Sequence, residues 1–127
     1  MSYQLTFWKY KDGVQLDAQK VYEDSCIEYL KVEGLSPLPV NKILDDIKTK
    51  YQNWELLSES TFDGEKGTSY NLAFDNGECG FEAEVSEQSV LFDCHGMDGD
   101  GMNELMDIML PYGCKLYDPQ INTRFDG

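Results

Sequence analysis

The chain has 127 residues, of which 41% are hydrophobic and 13% aromatic. This composition is typical of one folded domain with a single core and excludes a disordered chain. No apolar run approaches the roughly 20 residues that cross a membrane, and the start lacks the pattern of a secretion signal. Without such a signal, widely spaced cysteines are expected to be reduced thiols, so the cytoplasm is the expected compartment. The cysteines are Cys26, Cys79, Cys94 and Cys114.

The formal net charge of −14 is concentrated in the middle of the sequence. Residues 1–53 carry a net charge of −1, residues 54–107 carry −13 with Lys66 as their only base, and residues 108–127 are neutral. Such a field repels nucleic acid and anionic membranes, and it attracts a basic partner or cations. The alternative interpretation is a hydrated surface that keeps the protein soluble. We therefore expect neither a nucleic-acid nor a membrane partner.

The first third of the chain predicts one strand and two helices. Residues 3–10 alternate in the manner of a strand. Asp17 is suited to cap a helix that runs to about Val32, with Gly34 following its end. Pro39 fits the first turn of a second helix. The apolar residues of that helix recur at the spacing of an amphipathic stripe: they are Val40, Ile43, Leu44, Ile47 and Tyr51.

The acidic middle predicts four consecutive strands, with a tight turn at the Asn76–Gly77 pair. The strands cover residues 54–57, 69–74, 80–85 and 89–94, and residues 58–68 are expected to form a loop. In the third of these strands, Glu82 and Glu84 alternate with apolar residues. This alternation predicts an antiparallel sheet with one hydrated, acidic face.

The last third predicts a strand–loop–helix–strand unit. An apolar strand at residues 90–92 precedes a glycine-rich loop, a helix from Met102 to Tyr112 that Gly113 ends, and a strand at 114–117. If both strands share one sheet, the unit forms a right-handed parallel crossover. The predicted order is β-α-α-β-β-β-β-α-β over a single domain, residues 1–127. The fold class is therefore α+β, a single mixed, mostly antiparallel sheet with helices packed on one face.

Two local patterns suggest metal or catalytic chemistry, and neither is complete. The run from Asp98 to Gly101 resembles the start of a calcium loop, but Met102 and Met109 occupy its fifth and twelfth positions, where oxygen ligands are needed. Asp98 and Asp100 are better suited to cap the following helix. We expect no metal site and no cofactor, since the cysteines and the single histidine match no zinc spacing.

The adjacent Cys94 and His95 are the only neighbouring thiol and imidazole. Neighbouring residues of a strand point to opposite faces, and an acidic region does not activate a thiol, so a catalytic dyad is not expected. No catalytic residue is assigned. The alternative hypothesis is a small enzyme or ligand-binding protein that uses the glycine-rich loop around His95.

Both ends of the chain and its first connector carry a resemblance to known proteins. The segments are Ser2–Lys9, Gly34–Pro39 and Gly113–Gln120, followed by Arg124–Phe125. They resemble a group of small bacterial proteins that includes immunity proteins of contact-dependent growth-inhibition and other polymorphic toxin systems. The resemblance implies that the chain binds and neutralises the C-terminal domain of a cognate toxin in the cytoplasm. It transfers no catalytic residue.

The charge pattern and the resemblance together predict a binding protein. A basic nuclease is the expected toxin, because its phosphate-binding cleft attracts an acidic inhibitor. The candidate contact residues are acids of the predicted sheet face and nearby loops: Asp63, Glu65, Asp75, Glu78, Glu82, Glu84, Asp98 and Asp100. The sequence fixes neither the toxin nor the oligomeric state.

Overall fold

The computed structural model describes residues 2–121 and 123–124, so Phe125 of the closing resemblance lies outside the described residues. Its helices and strands alternate much as the hydrophobic pattern predicts. In chain order they are β1 (Ser2–Trp8), α1 (Ala18–Tyr22), a π-helical segment (Glu23–Ile27), α2 (Val40–Lys50), β2 (Glu55–Gly64), β3 (Gly67–Asp75), β4 (Gly80–Val85), β5 (Val90–His95), α3 (Gly99–Met109), a 3-10 turn (Leu110–Tyr112), β6 (Lys115–Asp118) and β7 (Thr123–Arg124).

The strands form one sheet in the order β2-β3-β4-β5-β1-β6-β7, which confirms the α+β class. Every neighbouring pair is antiparallel, so the expectation of a mixed sheet is wrong. β5 and β6 do share the sheet and run in the same direction. They are not neighbours, because β1 lies between them and pairs with both: Leu5 faces Phe92, and Thr6 faces Tyr117.

The main core lies between α2, α3 and one face of the sheet, which we call the core face. Ile43 and Ile47 of α2 and Leu105 of α3 have no exposed surface. They pack against alternate strand residues, such as Phe92 of β5, because successive side chains of a strand point to opposite faces. The amphipathic stripe predicted for α2 is therefore confirmed.

The first helix, which is α1 together with the π-helical segment that continues it, packs on the opposite face of the sheet. We call this the second face. Tyr22 donates a hydrogen bond to Gln4 Oε1, and its ring lies 5.7 Å from that of Tyr117. Trp8 is fully buried in the same cluster. The expectation that all helices pack on one face is therefore wrong. Because the first helix covers the second face, β1 is buried on both faces although its residues alternate.

The largest differences between predicted and observed element boundaries concern α1, β2 and α3. Asp17 caps α1 as expected, but the helical turns end at Ile27, because Tyr29 adopts a left-handed backbone with φ 57°. Residues 58–64, expected to be a loop, continue β2 to the turn at Glu65 and Lys66. Finally, α3 begins at Gly99, directly after its cap, Asp98.

The core predicts a large cost for truncating α2. Ile47 is fully buried, so Ile47→Ala should reduce the free energy of unfolding by about 2–5 kcal/mol through lost burial and a residual cavity. Leu110→Ala is the control, because this side chain is 50% exposed. Urea denaturation measures both. A loss of less than about 1 kcal/mol for Ile47→Ala would contradict the packing described here.

Candidate functional site: an acidic cavity beside a buried lysine

The second face is uncovered where β2, β3 and β4 extend beyond the first helix. A shallow cavity of ≈ 120 Å³ lies there, which we call the acidic cavity. Its floor comes from alternate residues of four adjacent strands, and most of its lining groups are polar. The lining side chains of this face are Ser58, Asn71, Ala73, Glu82, Glu84, Leu91 and Asp93.

Two carboxylates of the acidic cavity face each other. Glu82 of β4 lies directly opposite Asp93 of β5, and like charges at directly opposed positions destabilise a sheet. The Oδ1 atom of Asp93 is buried and has no hydrogen-bond partner among the described residues. Glu82 is 64% exposed, and its Oε1 atom lies 3.4 Å from His95 Nε2. The cavity therefore presents negative charge that the described part of the chain satisfies only in part.

The third acid of the cavity, Glu84, has a different environment. Its side chain is 11% exposed and pairs with Lys66, whose Nζ lies 3.3 Å from Glu84 Oε1. The other carboxylate oxygen, Oε2, accepts a hydrogen bond of 2.9 Å from Tyr29 Oη. The expectation that Glu84 is hydrated like Glu82 is therefore wrong. Its negative charge is neutralised inside the protein, because the first helix covers this end of β4.

Lys66 joins the sheet to the first helix. Its side chain has no exposed surface. Its Nζ donates a hydrogen bond of 2.6 Å to the backbone oxygen of Ser25 and one of 3.5 Å to Ser89 Oγ. The ammonium also lies 5.1 Å from the centre of the Tyr29 ring. A charge this deeply buried is tolerated only when it is paired and hydrogen-bonded. Lys66 meets both conditions.

Tyr29 is held in a costly backbone conformation beside this lysine. Its φ of 57° is unusual for a bulky residue and costs on the order of 1–3 kcal/mol. Its backbone oxygen accepts from Lys66 N at 3.3 Å, and its ring lies 5.0 Å from that of Phe62. Contacts with Lys66, Glu84 and Phe62 thus keep Tyr29 in place. Burial and the neighbouring Glu84 raise the pKa of its hydroxyl to about 12.

The eight acids expected at the interface do not form one surface. Glu82 lies at the centre of the sheet, whereas Asp75 and Glu78 lie at the turn between β3 and β4. Gly96, just before Asp98 and Asp100, is close to Glu78, so these four acids share one end. Asp63 is on β2 and Glu65 is in the next turn, at the opposite end of β3 and about 25 Å away.

Several of these acids also have structural roles. Asp98 caps α3, since its Oδ1 accepts from Gly101 N at 2.8 Å, which confirms the capping interpretation. Asp75 accepts from Gly77 N in the turn, and Asp63 accepts from Thr68 Oγ1. Among the described residues, no group of three or more His, Cys, Asp or Glu side chains is arranged to hold a metal ion.

The structure separates Cys94 from His95. Cys94 is buried in the core, where burial raises the pKa of its thiol to about 12. His95 is 48% exposed beside Glu82. The two side chains lie on opposite faces of β5, as strand alternation predicts. A thiol that stays protonated and points away from the imidazole does not form a nucleophile–base pair.

Sequence reasoning missed three features of this site. Asp93 was hidden within an apolar strand, and only its register with Glu82 reveals its position. Tyr29 gave no signal, because a left-handed tyrosine has no sequence signature. Lys66 did give one, since it is the only base within the acidic segment 54–107. A lone base among fourteen acids is a candidate for a structural ion pair.

Breaking the buried pair should destabilise the protein strongly. Lys66→Met leaves Glu84 unpaired, and Glu84→Gln leaves the ammonium unpaired, so each should cost about 3–5 kcal/mol in urea denaturation. The double variant Lys66→Met/Glu84→Leu should recover much of this loss, because no buried charge remains. Glu82→Gln is the exposed control and should not lower the free energy of unfolding, because it relieves the repulsion with Asp93. Equal effects of Glu82→Gln and Glu84→Gln would contradict this assignment.

The thiols should react at very different rates. Burial raises the pKa of Cys26 to about 11 and that of Cys94 to about 12, so both carry little thiolate at pH 8. Cys26 and Cys79 are both partly exposed, so the raised pKa of Cys26 leaves Cys79 to account for the fast phase with a disulfide reagent. Cys79→Ala should abolish that phase, while Cys94→Ala should leave it unchanged. A fast phase that persists without Cys79 would contradict this assignment of the reactive thiol.

No helix in the described part of the chain is long and apolar enough to cross a bilayer. No protein-family model matches the sequence, and no curated protein matches it significantly.

Proposed function

We propose that this protein is a cytoplasmic immunity protein that binds a basic toxin domain, such as a nuclease, through its acidic second face. The observation that carries the proposal is the acidic cavity, where Glu82 and Asp93 oppose each other and Asp93 Oδ1 is buried without a hydrogen-bond partner among the described residues. This arrangement costs stability in the free protein. A lysine or arginine of a partner would relieve that cost, which gives the arrangement a function.

The surroundings of the cavity support a protein partner of ordinary size. A stable interface buries about 1,600 Å² in total, far more than the cavity offers. Exposed apolar side chains lie on the elements beside it, including Ile27 at 53% and Phe62 at 50%. Apolar anchors next to a charged centre suit a protein interface. The acidic surface would also accelerate association with a basic partner.

The toxin assignment rests on the resemblance of the chain termini and on this surface. Its experiment is to express the chain with the C-terminal domain of the large secreted protein encoded directly upstream. The two should co-purify at about 0.1 M salt and separate towards 1 M, because the Debye length falls from about 10 Å to about 3 Å. Growth arrest by the toxin domain should be relieved. A toxin domain that neither co-purifies nor is neutralised would refute the proposal.

Neutralising the cavity should weaken this interaction. The double variant Glu82→Gln/Asp93→Asn removes two charges and should lower the association rate roughly threefold or more, with a shallower salt dependence. Folding should be retained, because a repulsive pair is removed. Surface plasmon resonance at several salt concentrations measures both effects.

The matched control changes the net charge equally at distant positions. Asp12→Asn/Asp45→Asn removes two exposed carboxylates, one in a turn and one on α2. Asp46 is unsuitable because it accepts a hydrogen bond from Tyr112. Equal slowing by both double variants would show that net charge, and not the acidic cavity, carries the effect.

A further inference from the structure

β2 is an outer strand of the sheet with one open edge. It has ten residues, and every residue from Glu55 to Asp63 is exposed. Sheets of natural proteins protect such edges with charged side chains, above all lysine, or with proline, a bulge or a covering segment, since free backbone groups pair readily with another strand. β2 contains no proline or lysine, its bulge lies near one end, between Leu56 and Ser58, and its charges are all acidic, so they repel acidic strands but not basic ones.

The register identifies which backbone groups are free. The two-residue turn at Glu65 and Lys66 makes Gly64 and Gly67 a hydrogen-bonded pair, and bonded and non-bonded pairs alternate along an antiparallel ladder. Counting back from Gly64, the non-bonded residues are Glu59, Thr61 and Asp63. Their N–H and C=O groups therefore point away from β3, towards the open edge.

The charged side chains beside this edge favour a basic partner strand. Glu55, Glu59 and Asp63 are the ionisable residues of β2, and all are acidic. A second copy of the chain would place these acids against each other and would add another net charge of −14, which disfavours edge-to-edge self-association. Lys48 of α2 already lies 3.1 Å from Glu59 Oε1. A strand carrying lysine or arginine complements this edge.

We propose that β2 is a docking edge for a basic β-strand of the partner protein, which extends the sheet by one strand. Main-chain bonds to Glu59, Thr61 and Asp63 hold it, and its lysine or arginine side chains lie against the acids of β2. The exposed Phe62, on the opposite face of β2 from Glu59 and Asp63, meets its apolar residues. The inference rests on the proposed binding of a basic protein, and it adds how that protein is held.

The first experiment measures amide hydrogen exchange of the wild-type protein by NMR. The probe is a synthetic ten-residue peptide that alternates lysine and valine. At about ten times its dissociation constant, exchange at Glu59, Thr61 and Asp63 should slow about tenfold, because only the free fraction exchanges. The amide of Ser60, already bonded to β3, should change little. An alternating glutamate–valine peptide and a backbone N-methylated lysine–valine peptide should not protect these amides.

The second experiment blocks the edge and leaves the ladder to β3 intact. In Thr61→Pro, the lost N–H is one that points outwards, a position where edge strands tolerate proline. The variant should lose peptide binding and still melt cooperatively. Thr61→Val keeps the N–H and should bind as wild type does. Chemical-shift changes without slowed exchange would overturn the proposal, since they indicate charge attraction alone.

Two further outcomes separate this inference from the proposed function. If the toxin domain binds Thr61→Pro as tightly as wild type, the docking edge is refuted while toxin binding stands. If the toxin domain does not bind wild type but the peptide protects the edge, toxin neutralisation is refuted while the docking edge stands. Sedimentation showing a dimer that Thr61→Pro dissociates would overturn the proposal in favour of a second copy.

Discussion

The ion pair between Lys66 and Glu84 determines which part of the second face of the sheet is covered by the first helix. A buried ammonium must be neutralised and hydrogen-bonded, and Lys66 finds its partners on three segments: the first helix, β4 and the turn before β5. The pair therefore fixes the first helix against the second face. It also draws Glu84, one of the three carboxylates of the acidic cavity, inwards, whereas Glu82 and Asp93 have no such partner in Lys66.

Coverage of the second face is consequently uneven. α1 and the π-helical segment lie over β1 and the adjacent strands, whereas every residue of β2 from Glu55 to Asp63 stays exposed. The acidic cavity lies at the boundary between these two regions. Negative charge, exposed apolar side chains and free backbone groups thus occur together on one side of the molecule. This combination, and not the net charge alone, supports the proposed binding surface over a merely hydrated one.

Sequence periodicity predicted those elements that bury one face. The stripe of α2 and the alternation of β4 each follow from contact with the core, and the caps Asp17 and Asp98 follow from local backbone chemistry. β2 was predicted only in part, because a strand exposed on both faces has no hydrophobic alternation to detect.

The position of the first helix was also not predictable from the sequence. It depends on Lys66 and Tyr29, which meet only in three dimensions. The site was predicted only in part. Strand alternation placed Glu82 correctly on the outer side of β4. The burial of Glu84 depends on the first helix above it, and the proximity of Asp93 depends on the register of β4 and β5. Local patterns show which side of a strand a residue occupies. They do not show what lies above it.

The central position of β1 has a consequence for the order of folding. Strands β2 to β5 are joined by short turns and each pairs with the next, so their contacts are local and close quickly. β1 must instead wait for β5 and β6, and its contact between Gln4 and Asp93 closes a loop that spans most of the chain. During synthesis, β1 leaves the ribosome before the other strands of this sheet and is among the last of them to acquire both neighbours. Until β6 is made, the edge of β1 that faces away from β5 remains available to foreign strands, and the sheet is completed only when β6 and β7 have followed.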